Sequence, residues 1–347
     1  MEQDNLLAAW SWAIHTGAVG TAFSILAGFA PSEIWNSYPQ LVCGSAAALE
    51  LPGAAGHPGY PLALAVSALF AASRADAAGA EELCRRAAEA NVRQVIPDWR
   101  VEETISATRS NMAVTAGAFA DAARFAEQAA GIARAGGDLA DASVELTVAA
   151  GCHLLIDNAS AARPLATEAL ALARQLGAPA LIATALLAVG VTVVGADPGQ
   201  ARACLSESRE LSTAIGYQSG IDLVWATAIA FFTGDQAATL DLGRSAIRGL
   251  QWAGRMRMAP VLYMIASALL ATRPDAAAIV QGAADAYSVP PRALARLVSS
   301  QVTQALGEER AQELRTRGAG MDWDQAIAYT ITQTTQALSE PGSRTQP

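Results

Sequence analysis

Hydrophobic positions in the middle of the chain fall into two alternating patterns. In one, apolar residues recur at i, i+3/i+4 and i+7 with charges on the opposite side. Phe119, Ala122, Phe125 or Ala126, Ala129 and Ile132 form one such stripe, followed by Leu165, Ala169, Leu172 and Leu176, then Ala201, Leu205, Ser208 and Ile215, then Leu240, Ile247 and Leu250. That spacing predicts helices with one buried face. The segments between them, at about 138–155, 179–194, 218–232 and 256–271, are apolar nearly all round. The alternation predicts two layers, a buried first helix and a half-exposed second helix, which must stack on neighbouring pairs to cover their apolar faces.

The alternation is a repeat. Segments beginning at Asp76, Gly117, Asn158, Asp197 and Gly234 open alike, at steps of 41, 41, 39 and 37 residues, and each starts a helical stretch. The last four close on Gly137, Gly177, Gly216 and Gly254. A period of roughly 34–47 residues with two helices per unit is the mark of an α-solenoid. The expected fold is therefore all-α: a tetratricopeptide-like α-solenoid, a right-handed superhelix of antiparallel helix pairs.

The ends depart from the repeat. Residues 1–60 read as an N-terminal cap, with helices near Asp4–Thr16 and Ala18–Gly28 and an irregular stretch over 29–60 rich in proline. Residues 61–273 carry the repeats, 274–338 form C-terminal capping helices, and 339–347 read as a disordered tail. Within the C-terminal cap, helices are expected near Asp275–Tyr287, Arg292–Ala305 and Glu308–Arg317. Asp322 followed three residues later by Gln325 predicts a capping box that starts one more.

Composition supports helix. Hydrophobic residues make up 52% of the 347 residues but aromatics only 6%, so alanine, the best helix former, carries much of the apolar share. The net charge of −9, the lack of any lysine and the lack of a basic cluster argue against direct nucleic-acid binding. Cys43, Cys84, Cys152 and Cys204 lie far apart with no CxxC pair, so buried free thiols in a reduced cytoplasm are expected rather than disulfides or zinc. Three uncharged runs, 6–32, 51–73 and 176–196, are long enough to raise a membrane reading. They are rich in Ala, Gly and Thr and broken by prolines, and the last sits in register with the repeat, so buried inner helices are the expectation. Glu2 and Asp4 stand where a secretory leader would need basic residues.

Two terminal motifs carry a resemblance. Glu2-Gln3-Asp4-Asn5-Leu6-Leu7-Ala8-Ala9, then Trp12-Ala13-Ile14 and Gly17, resembles the join between the ATPase core and the helical repeats of large actinobacterial signal-transduction ATPases. Gln281-Gly282-Ala283-Ala284-Asp285-Ala286, Ala305-Leu306-Gly307-Glu308-Glu309-Arg310, and Leu314, Arg315, Gly318, Ala319 and Met321 resemble the end of the same repeat region, continuing into Gln325-Ala326-Ile327-Ala328-Tyr329. Such regulators join a nucleotide-binding domain to tetratricopeptide-like repeats and often to a nucleotide cyclase or a LuxR-type DNA-binding domain. The chain contains no Gly-x-x-x-x-Gly-Lys-Ser/Thr phosphate loop, and without lysine it has none to offer. The resemblance therefore implies the sensor or scaffold part of such a system, with activity in another part or another chain.

Candidate chemistry is sparse. Cys152-His153 is the only adjacent pair of metal-type ligands, and helix neighbours point about 100° apart. No Gly-x-Ser-x-Gly nucleophile elbow is present. Helix capping accounts for Asp322 and solvation for Asp324. No catalytic residue, metal or cofactor is expected. Polar or aromatic residues on the first helices are the binding candidates: Glu145, Asp222, Trp225, Arg257 and Tyr263. Buried charge is costly unless paired, so these residues either pair with one another or face a groove. Trp252, Arg134, Arg174 and Arg248 fall on second helices and are expected outside. The functional expectation is a non-enzymatic, cytoplasmic interaction or sensor module that binds a protein partner. A small effector, or activity in a part of a longer regulator, is the alternative.

Overall fold

A computed structural model describes residues 2–28, 39–216, 220–249, 258–287 and 292–340. Among them there are α-helices and one 3₁₀ turn, and no strand. The N-terminal helices are α1 (Glu2–Thr16), α2 (Val19–Ala27) and α3 (Pro39–Leu49), with the 3₁₀ turn at Ala54–Gly56. The repeat follows as first and second helices in alternation. The pairs are α4 (Tyr60–Ser73) with α5 (Ala77–Val92), α6 (Trp99–Thr115) with α7 (Phe119–Ala135), and α8 (Leu139–Leu155) with α9 (Ala159–Leu176). They continue as α10 (Pro179–Val193) with α11 (Pro198–Ile215), and α12 (Gly220–Phe232) with α13 (Gln236–Gly249). The chain ends with α14 (Ala259–Leu269), α15 (Pro274–Tyr287), α16 (Arg292–Leu306), α17 (Glu308–Ala319) and α18 (Trp323–Ser339).

The sequence repeat has a structural cause at four of the turns between the helices of a pair; the turn into α7, at Ala118, has no side-chain cap. Asp76, Asn158, Asp197 and Asp235 place a side-chain oxygen on the backbone N–H three residues on, at 2.9 Å, 3.4 Å, 2.9 Å and 2.9 Å. These bonds satisfy donors that the first turn of a helix leaves open. Asp322 and Gln325 form the expected capping box. At the other end of the second helices, Gly137, Gly177 and Gly216 adopt φ of +84°, +64° and +65°, the left-handed conformation that stops a helix at low cost for glycine. Gly254, Leu250, Trp252 and Arg257 lie outside the described residues, as do residues 341–347 of the expected tail.

One stretch expected to be irregular is partly helical. Within 29–60, residues Pro39–Leu49 form α3. Proline is well suited to a first helical position, where its missing N–H is not needed, and Ala46-Ala47-Ala48-Leu49 that ends the helix is strongly helix-forming.

By internal packing the chain divides into two units, Met1–Leu181 and Ile182–Pro347. In the first, Trp10, Phe23, Leu26, Leu64 and Phe70 form the N-terminal core, and α4 is buried almost throughout. Further along that unit, alanines take over: Ala122, Ala126 and Ala129 on α7, and Ala162, Ala166 and Ala169 on α9, have no exposed surface. Small side chains let neighbouring helices approach closely while each alanine gives up little surface of its own. In the second unit Ile229, Ile247, Leu262, Tyr263, Ile279 and Val298 belong to one core. No helix among the described residues is long and apolar enough to cross a membrane.

Candidate functional site

The first helix α6 breaks the rule that first helices are apolar. Glu103, Thr104, Ser106, Thr108, Ser110 and Asn111 are all buried on it. The hydroxyls are satisfied locally: Ser106 donates to the Glu102 carbonyl at 3.0 Å and Thr108 to the Thr104 carbonyl at 2.7 Å, one turn back. Ser110 donates across to the Ala122 carbonyl of α7 at 2.9 Å. Glu103 is different. Only 2% of it is exposed; its Oε2 accepts a hydrogen bond from Thr104 at 3.2 Å, and its Oε1 finds no hydrogen-bond partner among the described residues.

Helix α8 brings further acids toward that group. Asp138 caps α8, accepting from the Ala140 and Asp141 amides at 3.1 Å and 3.0 Å. Asp141 and Glu145 follow one turn apart, on one face of the helix. Glu145 is buried and Asp141 half-buried. Burial first, then the negative charges of Glu145, Asp141 and Asp138, hold the Glu103 carboxyl far above the usual carboxylate range, with the Thr104 hydroxyl opposing. Burial and Asp141 raise Glu145 likewise. Asp141 is pushed up to about 6 by burial and then by Asp138. Among the described residues, no positive charge contributes to these shifts. Near neutral pH the site keeps protons where a cation would otherwise balance it.

The neighbouring cations are engaged elsewhere. Arg100 pairs with Asp98 at 2.7 Å and also feels Asp138. Arg109 pairs with Glu81 at 3.0 Å, Arg124 with Asp121 at 3.3 Å, and Arg134 with Glu168. Helix α4 carries no charged residue. Among the described residues no three His, Cys, Asp or Glu side chains are placed to hold one metal ion.

The residues singled out from sequence are not gathered in one place. Glu145 belongs to the acidic group just described. Asp222 on α12 is 2% exposed and accepts from the Thr184 hydroxyl of α10 at 2.8 Å, with Trp225 half-buried one turn on. Tyr263 has no exposed surface and donates its hydroxyl to Asp285 of α15. Burial and that carboxylate push its pKa up, while burial raises Asp285 against the lowering influences of Tyr263, Arg315 and Gln281. Arg257 is outside the described residues. Cys152 is buried, whereas His153 turns to Glu127 at 2.8 Å, so the adjacent pair does not converge. Cys84 and Cys204 are buried and in no disulfide among the described residues, as expected, while the side chain of Cys43 is outside the description. Glu103 was not among the sequence candidates. The available signal was the repeat itself: one step of 41 residues carries Glu103 onto Val144, next to Glu145.

No family model matches the chain, and no curated protein matches it. Among solved structures, the chain is similar to a Signal Transduction ATPase with Numerous Domains carrying a tetratricopeptide repeat sensor, from Pyrococcus horikoshii. The identity is 14%, the TM-score 0.53, and the match covers 96% of this chain but 49% of that one. The chain thus spans about half the length of that ATPase. The apo form of RapI matches with 12% identity, 97% and 98% coverage of the two chains and a TM-score of 0.45. BtubC from P. vanneervenii matches with 16% identity, 64% and 92% coverage and a TM-score of 0.45. At these identities the likeness to the ATPase concerns the fold: the chain is an all-α, tetratricopeptide-like helical repeat.

Proposed function

We infer that this chain is a protein-interaction module that receives a segment of a partner polypeptide on its first-helix layer. The carrying observation is the unbalanced acidic group contributed by two successive first helices, Glu103 from α6 and Asp141 and Glu145 from α8. A helix pair kept only for stacking gains nothing from a buried carboxyl oxygen without a hydrogen bond, which costs roughly 1–3 kcal/mol or more. A recognition surface gains specificity from it, because a wrong partner leaves it unpaired.

The wider setting is a cytoplasmic signalling system. The terminal motifs resemble those of actinobacterial signal-transduction ATPases that carry LuxR-type or cyclase domains, and the likeness to the repeat-bearing ATPase supports the same kind of module. In this reading the chain itself is non-enzymatic, and partner binding is relayed to an ATPase or transcription-regulating domain. Function is argued from the site, with the family setting as analogy.

Site-specific photocrosslinking in cells of the native host tests it. A crosslinker at Asp141, the half-buried member of the acidic group, is expected to trap one discrete protein. The same crosslinker at Arg163, exposed on the second helix α9, is expected not to. Equal trapping from both positions, trapping from neither, or ATP hydrolysis by the purified chain would overturn the reading.

A further inference from the structure

We propose that the connection between α5 and α6 is a docking surface for a short apolar segment of a partner protein flanked by acidic residues. It uses residues other than the acidic group above, and it stands or falls separately from the first-helix contact.

The connection is an insertion. Six residues, 93–98, join α5 to α6, whereas three, 136–138, join α7 to α8 and two, 177–178, join α9 to α10. The shorter connections turn on Gly137 and Gly177 in the left-handed conformation; residues 93–98 contain no glycine. Insertions in a repeat array fall in loops on one face, often the binding face. Here the inserted stretch is apolar and bare: Val95 is 100% exposed, Ile96 81%, and Val92, at the end of α5, 78%. Exposed aliphatic residues scattered singly are ordinary, but three so close along one connection form a patch.

The patch is fastened. Asn91, itself buried, pairs both backbone groups of Asp98: its Nδ2 donates to the Asp98 carbonyl at 3.0 Å, and its Oδ1 accepts from the Asp98 N–H at 2.9 Å. Gln94 donates to the Pro58 carbonyl at 2.7 Å. A connection that only reverses the chain needs none of this, as the turns at Gly137 and Gly177 show. Ordering the loop in advance removes an entropy cost that a partner would otherwise meet on binding. Beside the patch lies an open cleft of about 730 Å³, lined from this connection by Ile96, Pro97 and Trp99 and from the N-terminal part of the chain by Phe23, His57 and Leu62.

Charge selects the occupant. Asp98 is held by Arg100 at 2.7 Å, and Glu89 by Arg85. Arg93, at the start of the connection, has a side chain 77% exposed and reaches Glu89 only at 3.8 Å. A cation thus stands beside the apolar patch of a chain whose net charge is −9, and an acidic flank on the partner complements it. A second copy fits less well. A stable dimer buries roughly 800 Å² a side, more than three aliphatic side chains present, and two copies share the same negative charge. That charge also opposes an anionic membrane surface.

The test pans the full chain with phage-displayed short random peptides and reads the affinities of the selected peptides by fluorescence anisotropy. The expected consensus is adjacent Leu, Ile, Val or Phe next to Asp or Glu. Val95→Ser and Ile96→Ser should each weaken binding at least tenfold. Both side chains are exposed, so neither substitution touches the core, and unchanged thermal melting confirms it. Arg93→Glu should weaken the acidic peptides and favour counterparts with Lys in place of the acid. A basic consensus, no consensus, or binding unchanged by the serine variants overturns the surface. A wild-type dimer that Ile96→Ser separates, or binding to phosphatidylserine vesicles that Ile96→Ser abolishes, overturns it too, because the occupant is then a second copy or a membrane. So does peptide binding that appears only after residues 29–38, which follow Gly28 at the cleft, are replaced by a Gly/Ser linker. If a crosslinker at Asp141 traps a partner while the serine variants change neither trapping nor peptide binding, the module reading stands and this surface falls. If peptide binding needs Ile96 while Asp141 traps nothing, this surface stands and the first-helix contact falls.

Discussion

The crossing of the C-terminal helices α15 and α17 makes a quantitative prediction at Gly282. A Cβ added there would lie 2.0 Å from the Arg315 carbonyl oxygen and 2.6 Å from two further Arg315 backbone atoms. At Gly318 the added atom would lie 2.0 Å from the Ile279 carbonyl oxygen. Helices α15 and α17 therefore cross backbone to backbone at two glycines, one from each. Ordinary Cβ contacts begin at 3.4 Å, and a backbone carbonyl cannot swing aside as a side chain end does. Gly282→Ala must push the helices apart by more than 1 Å, enough to forfeit a quarter to a half of each dispersion contact at the crossing. Overpacking of this kind costs about 1–3 kcal/mol, and the upper end applies because both obstacles are main chain. Alanine returns up to ~1 kcal/mol through helix propensity. The net expectation is a loss of about 2 kcal/mol, read as a lower urea midpoint and faster amide exchange in α15 and α17. Gly131→Ala is the control, because Gly131 lies inside α7, is exposed and has no atom within 4 Å of the added carbon. There the propensity gain is unopposed, and stability should rise by about 0.5–1 kcal/mol. If Gly282→Ala is neutral or stabilising like the control, the two helices do not cross at these glycines.

Further outcomes follow from single observations. The acidic group makes stability pH-dependent with an uncommon sign: the folded pKa values of Glu103, Asp141 and Glu145 are raised, so the native state binds more protons than the unfolded chain. Stability is then fullest below the unfolded carboxylate range and falls as pH rises through about 6 and beyond. Urea midpoints across pH 5–8 should show this fall, and Glu103→Gln with Glu145→Gln should flatten it. Ala75 adopts φ +62° at the position where the next repeat has Gly117 at +73°. Ala75→Gly should therefore stabilise by about 0.5–1 kcal/mol while Gly117→Ala destabilises by about 1 kcal/mol or more, both by denaturation. Asp197→Ala removes the cap bond to the Gln200 amide and should cost about 1 kcal/mol in the same assay. The Cys84 thiol is 1% exposed and pushed up to about 11 by burial and then by Glu81. Native protein should leave it unalkylated by iodoacetamide at pH 8, and unfolding in urea should release it.

The fold was legible because the repeat is written in residues that act locally. Asp76, Asn158 and Asp197 cap the helices they precede, and Gly137, Gly177 and Gly216 stop them. A cap or a left-handed glycine works through its own few neighbours, so one sequence suffices to see it. Helix α3 was missed because Pro39 and its neighbouring prolines read as breakers, whereas a proline at the first helical position breaks nothing. The acidic site was only half legible for a different reason. Glu145 stands out in sequence because it lies in the middle of a helix that is largely apolar. Glu103 is surrounded by Glu102, Thr104, Ser106 and Arg109, and α6 has the composition of a surface helix. It is nevertheless buried, since its hydroxyls turn back to carbonyls one turn away, at Ser106 and Thr108, and so need no water. Side-chain to backbone bonds of this kind hide polarity inside a helix without leaving any trace in its hydrophobic period. What distinguishes Glu103 from its neighbours is that it is ionisable: burial beside the acids of α8 disfavours its charge and holds its pKa above the usual carboxylate range, an effect that no hydrophobic period records.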